Sequence, residues 1–125
     1  MGRKRSTKPT SNQYINAHEF AEELRSCQEN GVVSEKMYRF FQLLARKCSG
    51  AFIYTSNEDR MDCVSNAVTV MARAYMKFDF NRKAEANAFS YFTSVALNGL
   101  RQGWNELNAH SKNTYRIDQI FSEHL

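Results

Sequence analysis

The sequence predicts an all-α fold, a compact domain of about four helices followed by a short C-terminal helical tail. Three observations carry this. Apolar residues recur at three- and four-residue spacing from residue 20 to residue 107. The runs are separated by residues that stop and start helices, such as Gly31 before Ser34 and Ser49-Gly50 before Ser56. The length of 125 residues, 42% hydrophobic and 13% aromatic, suffices for one modest core and not for two.

Taken in order, residues 1–13 hold the only proline and no hydrophobic period, and are expected to form a disordered basic arm. Asn16 with Glu19 makes a capping box for a first helix whose apolar stripe is Phe20, Leu24 and Cys27, and Gly31 ends it. A second helix starts at Ser34, with Met37, Phe40, Phe41, Leu44 and Cys48 on one face. A third starts near Ser56, with Asp59 placed to complete its cap. Its expected core stripe is Met61, Val64, Val68, Met71 and Tyr75, and its polar side is Asp62, Ser65, Asn66, Thr69 and Arg73. That polar side has no charge ladder to mark it as mere solvent decoration.

Beyond Phe78-Asp79-Phe80, a polar segment leads to Asn87, the expected cap of a fourth helix reaching about Leu107. This helix spreads Phe89, Tyr91, Phe92 and Trp104 over more of its circumference than one buried face needs. It also contains Gly99 and Gly103, each costing roughly 1 kcal/mol against alanine. The plain explanation is a core of aromatics and a close helix contact at the glycines. A second explanation is an aromatic edge left at the surface to stack on unpaired bases. A last short helix, from about Tyr115 to His124, is expected to close the chain. The layout is thus an arm at 1–13, a helical domain at 14–110 and a tail at 111–125.

The net charge of +4 is unevenly spread. Arg3, Lys4, Arg5 and Lys8 lie in the arm, residues 11–72 carry six basic and eight acidic side chains, and residues 73–116 carry seven basic and three acidic. Two basic zones flanking an acidic middle suggest one surface for phosphates and another for a basic protein partner. Cys27, Cys48 and Cys63 form no CxxC pair and stand at no metal-ligand spacing, so they are expected to be reduced thiols, with no metal and no cofactor. No apolar run approaches the length needed to span a bilayer, so no membrane partner is expected. The Met1-Gly2 start with Ser6 does fit the loose myristoylation pattern, but nothing else in the chain points to a membrane. His18, His110 and His124 lie in unrelated segments, there is no phosphate-binding glycine loop, and no nucleophile has an obvious base. An enzyme is not expected.

The run from Asp62 to Arg82, followed by Phe89 to Leu100, resembles region 2 of bacterial sigma factors. Lys77-Phe78-Asp79, Arg82, Phe89-Ser90 and Phe92 match that pattern in order. The chain is similar also to the late-transcription sigma factors of T-even-like phages, through Tyr14-Ile15-Asn16, through Asn87, Tyr91 and Thr93, and through Asn98. The resemblance covers residues 14–121.

It implies a transcription initiation factor, in the cytoplasm of a bacterial host, that binds core RNA polymerase and melts a −10-type, A·T-rich late promoter element. The third helix would dock on the polymerase through Asp62, Ser65, Asn66, Thr69 and Arg73. Promoter DNA would be met by Arg82, Lys83, Phe89, Tyr91, Phe92, Asn98, Arg101 and Gln102, with Phe92 at the position that stacks on a flipped adenine. The tail residues Ile117, Asp118, Ile120 and Phe121 would bind the phage DNA sliding clamp, with a late coactivator as a further partner.

Two departures stand out. The paired tryptophans of housekeeping sigma factors correspond here to Val95-Ala96, and about three extra residues separate Phe78 from Phe89, so weaker melting is expected; no helix-turn-helix to read a −35 element is expected either. The competing expectation is a small phage helical regulator, such as an anti-sigma factor or a repressor.

Overall fold

A computed structural model describes residues 15–124 of the chain, with side chains described as far as residue 109. The expected basic arm lies outside the described residues. The fold is all-α. Among the described residues there are four α-helices, α1 (Ala17–Asn30), α2 (Glu35–Cys48), α3 (Asn57–Ala74) and α4 (Asn87–His124), with a 3₁₀ turn at Ser49–Ala51.

The first three helices begin where a side-chain oxygen can take up amides that the helix leaves without a partner. The Asn16 side chain accepts from the His18 and Glu19 N–H groups, Ser34 Oγ from the Met37 N–H and Ser56 Oγ from the Asp59 N–H. Helix α1 stops at Gly31, whose φ of 73° is left-handed and whose N–H reaches the Cys27 carbonyl at 2.8 Å.

The core centres on Phe20, whose ring lies 5.6–6.1 Å from four others.

 Phe40 stands at 5.8 Å, Phe41 at 6.1 Å, and Phe89 and Phe92 at 5.6 Å each, while Phe41 and Phe92 stack on one another at 5.5 Å. Leu24, Cys27, Met37, Leu44 and Leu100 fill the space around these rings, and all are buried. The stripes expected for α1 and α2 are the buried faces, except that Cys48 is only half-buried.

Helix α3 departs from expectation. Of its expected stripe only Val64 and Met71 are buried, while Met61, Val68 and Tyr75 are half-buried and the innermost line includes Cys63, Ala67 and Ala74. The reason is the partner helix. Gly99 and Gly103 of α4 face Ala67 and Cys63, so the two helices run antiparallel and their backbones approach closely. A Cβ added at Gly99 would stand 2.7 Å from Ala67 Cα, closer than atoms pack, and one at Gly103 would stand 3.2 Å from Cys63 Cα. Small residues therefore meet at this contact, and the larger apolar side chains of α3 turn toward its flanks.

Helix α4 corrects two boundaries. Asn87 is its first residue rather than its cap, and the helix continues to His124 where a break and a separate last helix were expected. No helix among the described residues is long and apolar enough to cross a membrane.

Candidate nucleic-acid interface

Residues 75–86 connect α3 to α4 and carry two of the sequence-predicted DNA residues, Arg82 and Lys83. Their conformation is imposed from α1. Gln28 Nε2 donates to the carbonyls of both Tyr75 and Phe78, at 2.8 Å each. Phe78 is buried, with its ring 4.9 Å from Phe80 and 5.5 Å from Tyr91. The Arg25 guanidinium lies 4.3 Å from the centre of the Phe80 ring, and Arg25 and His18 both reach the Glu85 carboxylate, at 3.4 and 3.0 Å. These exposed ion pairs contribute little individually. Their effect is to join both ends of the connection to one helix.

Within this frame Asp79 builds a turn. Its carboxylate accepts from the Asn81 N–H at 2.9 Å and its carbonyl from the Arg82 and Lys83 N–H groups. The turn leaves the Arg82 and Lys83 side chains exposed, beside Lys77 and the half-buried Tyr91. Lys77, Phe78, Asp79, Arg82, Lys83 and Tyr91 line a groove of about 460 Å³. The Lys83 ammonium lies 6.0 Å from the centre of the Tyr91 ring. Three cations around one accessible aromatic edge can hold a phosphate backbone while a base stacks on the ring. The Asp79 carboxylate, already engaged by the turn, is the only acidic group lining that groove.

The structure separates the expected DNA residues into two sets. Tyr91, Asn98 and Gln102 are spaced by seven and four residues, so they lie along one edge of α4 over about 16 Å. Asn98 and Gln102 are exposed, and Arg101 donates to Asn98 Oδ1 at 3.0 Å. Phe89 is half-buried against Phe20. Phe92 is a correction. Its side chain is fully buried among Phe20, Phe41 and Tyr91, so it has no free face for a base. It occupies the inward side of α4, and the accessible ring beside the cations belongs to its neighbour Tyr91.

The expected polymerase face also changes by one residue. Asp62, Ser65, Thr69 and Arg73 are exposed on α3, but Asn66 is half-buried and its side-chain amide donates to the Gly99 carbonyl at 2.7 Å. Asn66 thus braces the close contact of α3 with α4. The Thr69 hydroxyl donates to the Ser65 carbonyl at 3.0 Å. Sequence reasoning missed the contribution of α2, whose Tyr38, Gln42 and Arg46 share a groove of about 330 Å³ with Met61, Ser65, Val68 and Thr69. Tyr38, 42% exposed, was the available signal, an aromatic residue off the buried stripe of its helix.

Ile117, Asp118, Ile120 and Phe121 lie on the last turns of α4, and their side chains are outside those described. The described cysteines are free thiols, and burial raises the pKa of both Cys48 and Cys63 above the ordinary value. No group of side chains suited to a metal ion occurs among the described residues.

The fold and surfaces define a small helical protein with one cationic, aromatic-edged groove and one mixed polar face. No protein-family model, curated protein or solved structure matches the chain.

Proposed function

We propose that the chain is a sigma-like initiation factor that binds bacterial core RNA polymerase and holds open a −10-type, A·T-rich phage late promoter element. The observation that carries this reading is the groove of Lys77, Arg82 and Lys83 around the Tyr91 edge, built on the Lys-Phe-Asp turn that the chain has in common with sigma region 2. In this reading the cations hold the phosphates of the unpaired strand and Tyr91 stacks on an extruded base, contributing about 1–3 kcal/mol. Asn98, Arg101 and Gln102 continue the track along α4 toward the duplex.

Polymerase docks on the opposite functional face, through Asp62, Ser65, Thr69 and Arg73 with Tyr38 and Arg46 beside them. Residues 117–121 hold the sliding clamp, which raises the local concentration of the factor near DNA without further base contacts. A late coactivator acts with the clamp in the host cytoplasm.

The test is retention of bacterial core polymerase by the tagged protein, followed by run-off transcription on an A·T-rich promoter. Retention together with a discrete transcript is the expected result. A protein that binds DNA but leaves the core behind would be a repressor, and one that needs a resident sigma factor to be retained would be an anti-sigma factor. Either outcome removes the proposal.

A further inference from the structure

A second surface lies farther along α4, where the loop after the 3₁₀ turn packs on the helix. Ile53 is 89% exposed, the most exposed of the large apolar side chains described. It is nevertheless held in place. The Trp104 indole N–H donates to the Ile53 carbonyl at 2.8 Å, and the Phe52 ring lies 6.0 Å from the Trp104 ring. An isoleucine presented to solvent on a backbone fixed from both sides loses little freedom when something covers it.

Beside Ile53 are two adjoining hollows that share Leu107. The first, about 220 Å³, lies between Ile53, Tyr54 and Trp104 with Asp59 on its rim. The second, about 180 Å³, is floored by Cys63 and Gly103 and flanked by Asp62 and Glu106. Among the described residues, the lining of the two hollows includes three carboxylates and no lysine or arginine. Burial, and after it all three carboxylates, raise the pKa of the Cys63 thiol, which lines the second hollow. Arg60 lies near enough to Tyr54 to act against the rise in its pKa, while its Nε donates to the Ser49 hydroxyl at 2.9 Å. A chain of net charge +4 therefore carries here a groove of mixed lining, with Ile53, Trp104 and Leu107 as its apolar members and carboxylates at its rim.

We infer that this groove docks an amphipathic helix of a second protein, with an apolar anchor seated between Ile53 and Trp104 and a lysine or arginine, three or four residues away, placed between Asp62 and Glu106. Two hollows side by side suit side chains at i and i+3 or i+4, the spacing that a helix puts on one face. The acidic rim selects a basic partner and disfavours nucleic acid and acidic peptides. The groove is a different surface from the cationic one and meets the proposed polymerase face only at Asp62, which no variant in the test alters, so the inference can fail or stand apart from the polymerase reading.

Trp104 is the only tryptophan of the chain, so its emission reports on the groove directly. The probe is a synthetic helical peptide with leucine at i, i+3, i+4 and i+7 and lysine elsewhere, titrated into the full chain. Saturable change in Trp104 emission is expected, with amide shifts in NMR spectra confined to residues 52–63 and 103–108. Ile53→Lys should weaken binding by about tenfold or more. The double variant Asp59→Asn, Glu106→Gln should weaken it and flatten its salt dependence, and Glu22→Gln, on α1, should leave it unchanged.

Since Ile53 is exposed, its substitution leaves the fold intact, which circular dichroism checks. Unchanged Trp104 emission at saturating peptide, equal binding by Ile53→Lys, or equal binding of a peptide with glutamate for lysine would each overturn the inference.

Discussion

Two stretches of α4, its start and the turns from Gly99 to Trp104, solve different problems with different means. Near its start, the helix supports a connection made of turns and bearing polar and charged side chains. That connection is held by side chains reaching over from α1: Gln28 on two carbonyls, Arg25 on the Phe80 ring, and His18 and Arg25 on Glu85. About 20 Å along the axis, between Gly99 and Trp104, the helix lies backbone to backbone against α3, and Trp104 holds the loop that carries the exposed Ile53. The first region is therefore adjustable through single polar bonds, and the second only through volume. The comparison teaches that surface chemistry here follows the means of support: cations project where the backbone is tethered by hydrogen bonds, and apolar groups where it is packed.

The largest expected effect breaks the packed region. Gly99→Leu places a branched side chain on a Cβ already 2.7 Å from backbone, and since a Cα cannot move aside, helices α3 and α4 must separate. A loss of about 3 kcal/mol or more, or failure to fold, is expected in urea denaturation. A similar loss, about 3–5 kcal/mol, is expected for Phe92→Ala, because that ring is wholly inside the core.

The neighbouring variant Tyr91→Ala sharpens the contrast. It should destabilise the protein less than Phe92→Ala does, yet lower affinity for single-stranded DNA several-fold in fluorescence anisotropy. If Phe92→Ala kept full stability and lost only DNA binding, the inward placement of that ring would be wrong.

Weaker effects belong to the tethered region. Gln28→Leu leaves two partly buried carbonyls without their donor, so a loss of about 1–3 kcal/mol is expected, with faster amide exchange confined to residues 75–83. Lys83→Ala should leave stability unchanged and reduce the salt slope of DNA binding by about one unit. The smallest effect concerns pH. Cys63 has a folded pKa raised by burial and then by Asp59, Asp62 and Glu106, so the folded state holds its thiol proton more tightly than the unfolded chain does. Its stabilising contribution is complete below the ordinary value of 9.0 and falls as pH rises through the higher folded value. Denaturation midpoints measured on either side of pH 9.0 should show the decline, and Cys63→Ala should diminish it.

Much of this architecture was legible in the residues themselves. Asn16, Ser34 and Ser56 are short side chains that can bond the free amides of a first turn, and they cap α1, α2 and α3 wherever the rest of the chain lies. Gly31 ends α1 because the left-handed conformation disfavours other side chains. The stripes of α1 and α2 follow from periodicity because each helix buries one simple face. The order of Lys77-Phe78-Asp79 and Arg82 marked a resemblance, but the turn that Asp79 builds there was not legible in it.

The remainder depended on which helix lies against which. Periodicity could not distinguish the two apolar flanks of α3, and it was the approach of Gly99 and Gly103 that made Cys63, Ala67 and Ala74 the innermost line and turned Asn66 from an outward contact into a brace. The same geometry separates Tyr91 from Phe92. Adjacent helical residues differ by about 100° in direction, and on a helix rich in aromatics the sequence leaves the inward direction undetermined. Local propensity acts within a turn or two of helix and can be read from neighbours in the chain. Burial is decided by contacts between residues as far apart as Phe20 and Phe92, and only the tertiary structure assigns the core to one ring and the groove to the other.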